Sequence, residues 1–197
     1  MFESIGRSFE ITKLSFNVVR QDKELFLFPI LAGFFSLIYI IALIFPVLFT
    51  DIIAKAIGEK AFEIAQYAIY FVVYLGLAVI ATFFNVCVVY TTKKRFEGGN
   101  SSVGEAISFA FSRIHLIILW GIVSATVGLI LRLIENATEK AGAAGQLIGR
   151  IVVAILGGAW GIMTIFVVPA MVYDGLGPKG AIQKSLGVLS KTWGESL

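Results

Sequence analysis

The chain has 197 residues, 58% of them apolar and 15% charged, with a formal net charge of +3. A soluble domain carries about 45–50% apolar and about 25% charged residues, so this composition excludes an ordinary water-soluble globule. The single cysteine, Cys87, excludes an internal disulfide, and the slight basic excess calls for no nucleic-acid partner.

The chain opens on an amphipathic pattern. Phe2, Ile5, Phe9 and Phe16 fall on one helical stripe beside a polar strip of Glu3, Glu10, Lys13 and Asn17. This predicts a helix lying in the membrane interface over about residues 2–20. Residues 25–49 then hold no ionisable side chain except Tyr39, and residues 67–92 hold no Asp, Glu, Lys, Arg or His. A helix needs about 20 such residues to cross a ~30 Å hydrocarbon layer, so these are two spans. The first is longer than a signal-peptide core and follows a mixed-charge lead, which argues against cleavage.

A turn follows at Gly98-Gly99-Asn100-Ser101-Ser102, with Glu105 placed for the first turn of a second interfacial helix over about residues 103–113. Spans three and four are predicted over about residues 114–134 and 149–173. Gly177-Pro178 then marks another helix start. The fold class is all-α: a polytopic transmembrane bundle of four spans in two hairpins, each preceded by an amphipathic interfacial helix. Lys and Arg in alternate connections total eleven on one side and five on the other. The positive-inside rule therefore puts both termini in the cytoplasm, with Lys93, Lys94 and Arg95 as the strongest anchor of a multi-pass plasma-membrane protein.

The same words recur. Arg7-Ser8-Phe9 is echoed by Lys184-Ser185-Leu186 and more weakly around Ser108-Phe109, while residues 83–90 match 166–173 in their outer positions. Residues 1–98 and 99–175 thus read as two units. Residues 176–197 supply only the interfacial helix of a third, which predicts a longer natural chain with a third hairpin. The stretches "RSFEITKLSF", "VYTTKKRFEGG", "FSRI" and "VYDGLGPKGAIQKSLGVLSKTWGE" resemble an uncharacterised family of archaeal and bacterial polytopic membrane proteins. The pattern around Ala181, Ser185, Lys191 and Trp193 is similar, more distantly, to the membrane domain attached to some glycerophosphoryl diester phosphodiesterases. That resemblance implies about six helices in longer relatives and no activity here.

Chemistry-bearing motifs are sparse. His115 is the one histidine, and "GLGPKG" follows an apolar span instead of a strand, so it reads as a turn and not a dinucleotide loop. No catalytic, cofactor or metal residue is assigned. Helix packing has clearer candidates: Gly121 with Ala125, Ser124 with Gly128, Ala154 with Gly158, and Gly157 with Gly161 are small pairs four apart. Such pairs let backbones approach where no hydrophobic effect drives association, and they predict tight packing of spans three and four, with each other or across a subunit boundary. Asn85, with Thr82 and Ser124, is the polar set for an interhelical bond or a pore lining. Thr126 and Thr164 are expected to bond back to their own helices, and Arg132 to pair with Glu135. Pro29, Pro46 and Pro169 read as caps or mild kinks near span ends. The functional expectation is a non-enzymatic membrane protein, poor in buried charge, working through helix packing, homo-oligomerisation and contact with membrane lipids or a partner. The alternative is a homo-oligomeric channel or permease, although the broken spans typical of transporters are not expected.

Overall fold

The computed structural model describes residues 23–47, 58–140 and 142–194. The expected interfacial helix over residues 2–20 and the last residues of span one lie outside them. Seven helices are described: α1 (Lys23–Val47), α2 (Glu59–Phe96), α3 (Val103–Ser112), α4 (Ile114–Glu139), α5 (Gly142–Thr164), α6 (Val167–Asp174) and α7 (Pro178–Gly194). No strand occurs among the described residues. Four segments are long and apolar enough to cross a bilayer: Leu25–Ile44, Lys60–Phe96, Ile114–Glu139 and Gly142–Asp174. Length and hydropathy together make this a membrane protein.

At 38 residues, α2 is the longest element. At 1.5 Å per residue it measures about 57 Å, nearly twice the hydrocarbon thickness, so its polar ends project beyond the apolar layer. Its last turn carries Lys93, Lys94 and Arg95, cations at the negative end of the helix dipole. Helix α2 is also the hub, touching α1, α3, α4 and α6. Against α1, the Tyr39 hydroxyl donates to the Val72 carbonyl at 2.7 Å. Gly76 makes this possible, because a Cβ there would occupy the space of the Tyr39 ring.

Packing is densest at the end of the bundle that carries Lys93. Phe28, Phe84, Val86, Cys87, Ala106 and Ile117 are buried in one cluster that joins α1, α2, α3 and α4. Leu116, Trp120, Val167, Met171 and Ala181 form a second, joining α4, α6 and α7. Trp120 stacks on Trp160 with ring centroids 5.8 Å apart, and Tyr90 on Phe109 at 4.3 Å. Most large apolar side chains of α1 point outward, as lipid-facing residues do.

Helix α3 starts on a capping box. The Ser102 hydroxyl accepts from the Glu105 N–H at 3.2 Å, and the Glu105 carboxylate accepts from the Ser102 N–H at 3.3 Å. Replacing Ser102 by Ala should cost about 1 kcal/mol, or roughly 2–4 °C in melting temperature for a chain this long. Thermal unfolding in detergent measures it. An unchanged midpoint would mean that the box contributes nothing.

One expectation is corrected. Span four is not a continuous helix: α5 ends at Thr164, a turn occupies residues 165 and 166, and α6 begins at Val167. Pro169 is the cause. It has no N–H to offer the Ile165 carbonyl four residues back, and its ring would collide with that carbonyl in a straight helix. The Ile165 N–H turns to the Ile162 carbonyl at 3.3 Å, and regular bonding resumes with Ala170 N–H to the Phe166 carbonyl at 2.9 Å.

Candidate functional site

The break is held from the side by α7. Ser185 is fully buried, and its hydroxyl donates to the Met163 carbonyl at 2.6 Å while accepting from the Phe166 N–H at 3.2 Å. One hydroxyl thus satisfies a backbone acceptor and a backbone donor on the two sides of the turn. Serine fits because its hydroxyl both gives and receives a hydrogen bond. Ala181, one turn earlier on α7 and also fully buried, lets the helix approach α4 and α6 closely.

Beside this contact lies a crevice of about 300 Å³ between α6 and α7. It is lined by apolar Phe166, Pro169, Ala170 and Val188 together with Tyr173, Asp174 and Lys184. The Lys184 ammonium donates to the Asp174 carboxylate at 2.8 Å, with both side chains partly exposed. Lys93 reaches in from α2, its ammonium 5.0 Å from the Tyr173 ring centroid and 4.0 Å from the Glu97 carboxylate. Lys94 lies 6.0 Å over Tyr90, and half-buried Arg95 follows it. Arg113, at the α3–α4 junction, lies over Phe109 at 5.6 Å. Its guanidinium also lies 3.4 Å from where a Cβ would stand on Gly175, the left-handed residue (φ 64°) that ends α6. That places a fixed cation at a helix C-terminus, where the dipole favours it.

The small-residue pairs part company. Gly121 and Ala125 are buried. A Cβ on Gly121 would stand 2.6 Å from Val79 Cγ2, and one on Gly128 would stand 3.4 Å from the Tyr74 ring, so this stripe faces span two. Ser124 between them is half-buried. On α5, Gly157 lies loosely against Leu131 at 3.7 Å, while Gly158 and Gly161 meet nothing within 4 Å and Ala154 is exposed. The polar set is dispersed as well: Thr82 is buried, Asn85 is exposed on the surface of α2, and no hydrogen bond joins either to Ser124. Thr126 and Thr164 bond back to the carbonyls of Ile122 and Trp160, at 2.7 and 2.8 Å. His115 is exposed, and among the described residues no three His, Cys, Asp or Glu side chains cluster as a metal site would require.

At the opposite end, Arg132 pairs with Glu135 at 2.7 Å and lies 5.6 Å over Tyr70. Arg132 and Tyr70 line, with Gln66, Tyr67 and Asn136, a polar recess of about 350 Å³.

Residues 64–197, which take in most of α2 and everything after it, match a family of unknown function, DUF6159. The chain belongs to that family. No curated protein and no solved structure matches it. The part of the chain matched to DUF6159 contains the broken span, Ser185, the crevice and the basic cluster, and leaves α1 outside. Of the residues that shape this DUF6159 site, sequence reading missed the role of Ser185, the break at Pro169 and the pairing of Asp174 with Lys184. The available signal was Pro169 itself, a proline inside an otherwise uninterrupted apolar run.

Proposed function

We propose that the protein is a non-enzymatic, multi-pass component of the plasma membrane, with both termini cytoplasmic, that works through self-association and contact with lipid. The observation that carries this reading is Asn85. Its amide is exposed on α2, and no hydrogen bond joins it to another group among the described residues. It stands eight residues before Lys93, about 12 Å along the helix and well inside the hydrocarbon layer. Lipid tails offer an amide nothing, and leaving it unpaired there costs several kcal/mol. A second copy of the chain supplies the missing partner, because an amide both donates and accepts and so complements itself across a two-fold axis.

Two hairpins with interfacial helices remain the architectural reading. In its support, α1 packs on α2 and α4 on α5. Ala106 and Ala110 of α3 are fully buried, as are Ala181 and Ser185 at the same spacing on α7, in line with a repeated unit.

Native mass spectrometry from gentle detergent tests the proposal. The wild type should appear as an oligomer, and Asn85→Leu should associate about three- to thirtyfold more weakly, the range for one interhelical hydrogen bond in a membrane. A wild type that stays monomeric at every accessible concentration would defeat it. The broken span favours a second reading, a homo-oligomeric channel or permease, since transporters place broken helices beside their substrates. Here Ser185 already satisfies the backbone groups it contacts at the turn. Flux through proteoliposomes that Asn85→Leu abolishes would support the channel. No flux from protein shown to be inserted would end it.

A further inference from the structure

The crevice between α6 and α7 carries an ion pair among otherwise mostly apolar lining residues. Asp174 is the last residue of the fourth membrane-spanning segment, at the same end of the bundle as Lys93 and the other basic anchors. Its surroundings therefore belong to the headgroup region, and the walls of Phe166, Pro169 and Val188 belong to the acyl region. Two ion pairs stand there: Lys184 with Asp174, and Lys93, which lies over the Tyr173 ring, with Glu97. A site built for a purely anionic headgroup would not hold a carboxylate 2.8 Å from its lysine. A zwitterion with a phosphate and a primary ammonium matches both halves of that pair.

We infer that this crevice binds a phospholipid with a primary-ammonium headgroup, its phosphate accepting from Lys184, its ammonium donating to Asp174, and its acyl chain lying against Phe166, Pro169 and Val188. The proposal rests on the reading of the chain as a lipid-contacting membrane protein and names the lipid chemistry. A choline headgroup carries the same charges but no N–H, so it cannot hydrogen-bond to Asp174. A glycerol headgroup leaves a net negative charge facing that carboxylate. The ion pair is partly exposed and costs little to open, because a surface pair is worth about 1 kcal/mol or less. The lipid replaces it with two charge-assisted bonds.

The test is native mass spectrometry of delipidated protein titrated with phosphatidylethanolamine, phosphatidylcholine and phosphatidylglycerol of identical chains. The wild type should hold the ethanolamine lipid about tenfold more tightly than the choline lipid, the value of one charge-assisted hydrogen bond. Asp174→Ala, which removes the acceptor, should bring that ratio near one, and Lys184→Gln should weaken both lipids. Val188→Trp leaves every charge in place and fills the crevice, so it should lower binding of all three, and a melting curve confirms that each variant is folded. Equal retention of ethanolamine and choline lipids by the wild type overturns the proposal, as does tighter binding of the glycerol lipid. A preference for ethanolamine that survives both Asp174→Ala and Val188→Trp overturns it too. Any of these leaves the membrane reading intact, whereas protein that is monodisperse without surfactant would remove that reading itself.

Discussion

Gly121→Leu should lower stability by about 3 kcal/mol and the melting temperature by roughly 6–12 °C, the upper end for overpacking a tight contact. The side chain has nowhere to go. Its Cβ alone would stand 2.6 Å from Val79 Cγ2, 3.4 Å from Leu75 Cδ1 and 3.6 Å from the Val79 backbone nitrogen. Val79 is β-branched and holds essentially one χ1 rotamer in a helix, so it cannot swing aside. Helix α4 must instead move off α2, and Ile117 and Trp120 on the same helix would be drawn from both buried clusters. Gly158→Leu is the control, because nothing lies within 4 Å of its Cβ position. That variant should melt within about 0.5 kcal/mol of the wild type.

The protein carries its own reporter for this comparison. Cys87 is the sole cysteine and is fully buried, its thiol donating to the Ala106 carbonyl at 3.6 Å. A thiol-reactive dye therefore reads unfolding in detergent without an added label. If Gly121→Leu melts with the wild type, α2 and α4 do not meet as described. If Gly158→Leu falls as far as Gly121→Leu, then the open face of α5 is covered by something outside the single chain. That second result would favour self-association.

The contrast between these glycines shows what the sequence could and could not convey. Charge-free runs longer than the hydrocarbon is thick can only be spans, so spans one, two and four were readable directly, while the 16 charge-free residues 116–131 reach about 24 Å and needed their flanking residues to make span three. The capping box was half readable, because the turn residues and Glu105 are local signals whose partners lie within four positions. The facing of a small-residue stripe is not local. Spacing shows that Gly121, Ala125 and Gly128 share one side of a helix, but neighbours in sequence suggested span four, and the side is taken by Val79 and Tyr74 of span two. In hydrocarbon every span is apolar on all sides, so no polar face remains to orient it, and partner choice rests on shape. Asn85 is the exception that polarity does orient. It was readable as important, and its outward direction was not.

Span four illustrates a different gap. A proline near a span end is tolerated when freed backbone groups find new partners, and sequence alone cannot reveal whether one exists. Here the partner is Ser185 of α7, nineteen positions after Phe166. Ser185→Ala should leave the Met163 carbonyl and the Phe166 N–H without that hydroxyl in a buried setting, at a cost of about 2 kcal/mol or roughly 4–8 °C. Pro169→Ala acts on the same fault from the other side. It restores an N–H and removes the clash with the Ile165 carbonyl, so the helix can run through and the Phe166 N–H can return to a partner in its own helix. In that background the serine has less to do, and Ser185→Ala should cost at least ~1 kcal/mol less than it does alone. The Cys87 labelling assay on the two single variants and the double variant measures this coupling. Strict additivity would mean that the proline does not create the need the serine meets, and the break would then require another cause.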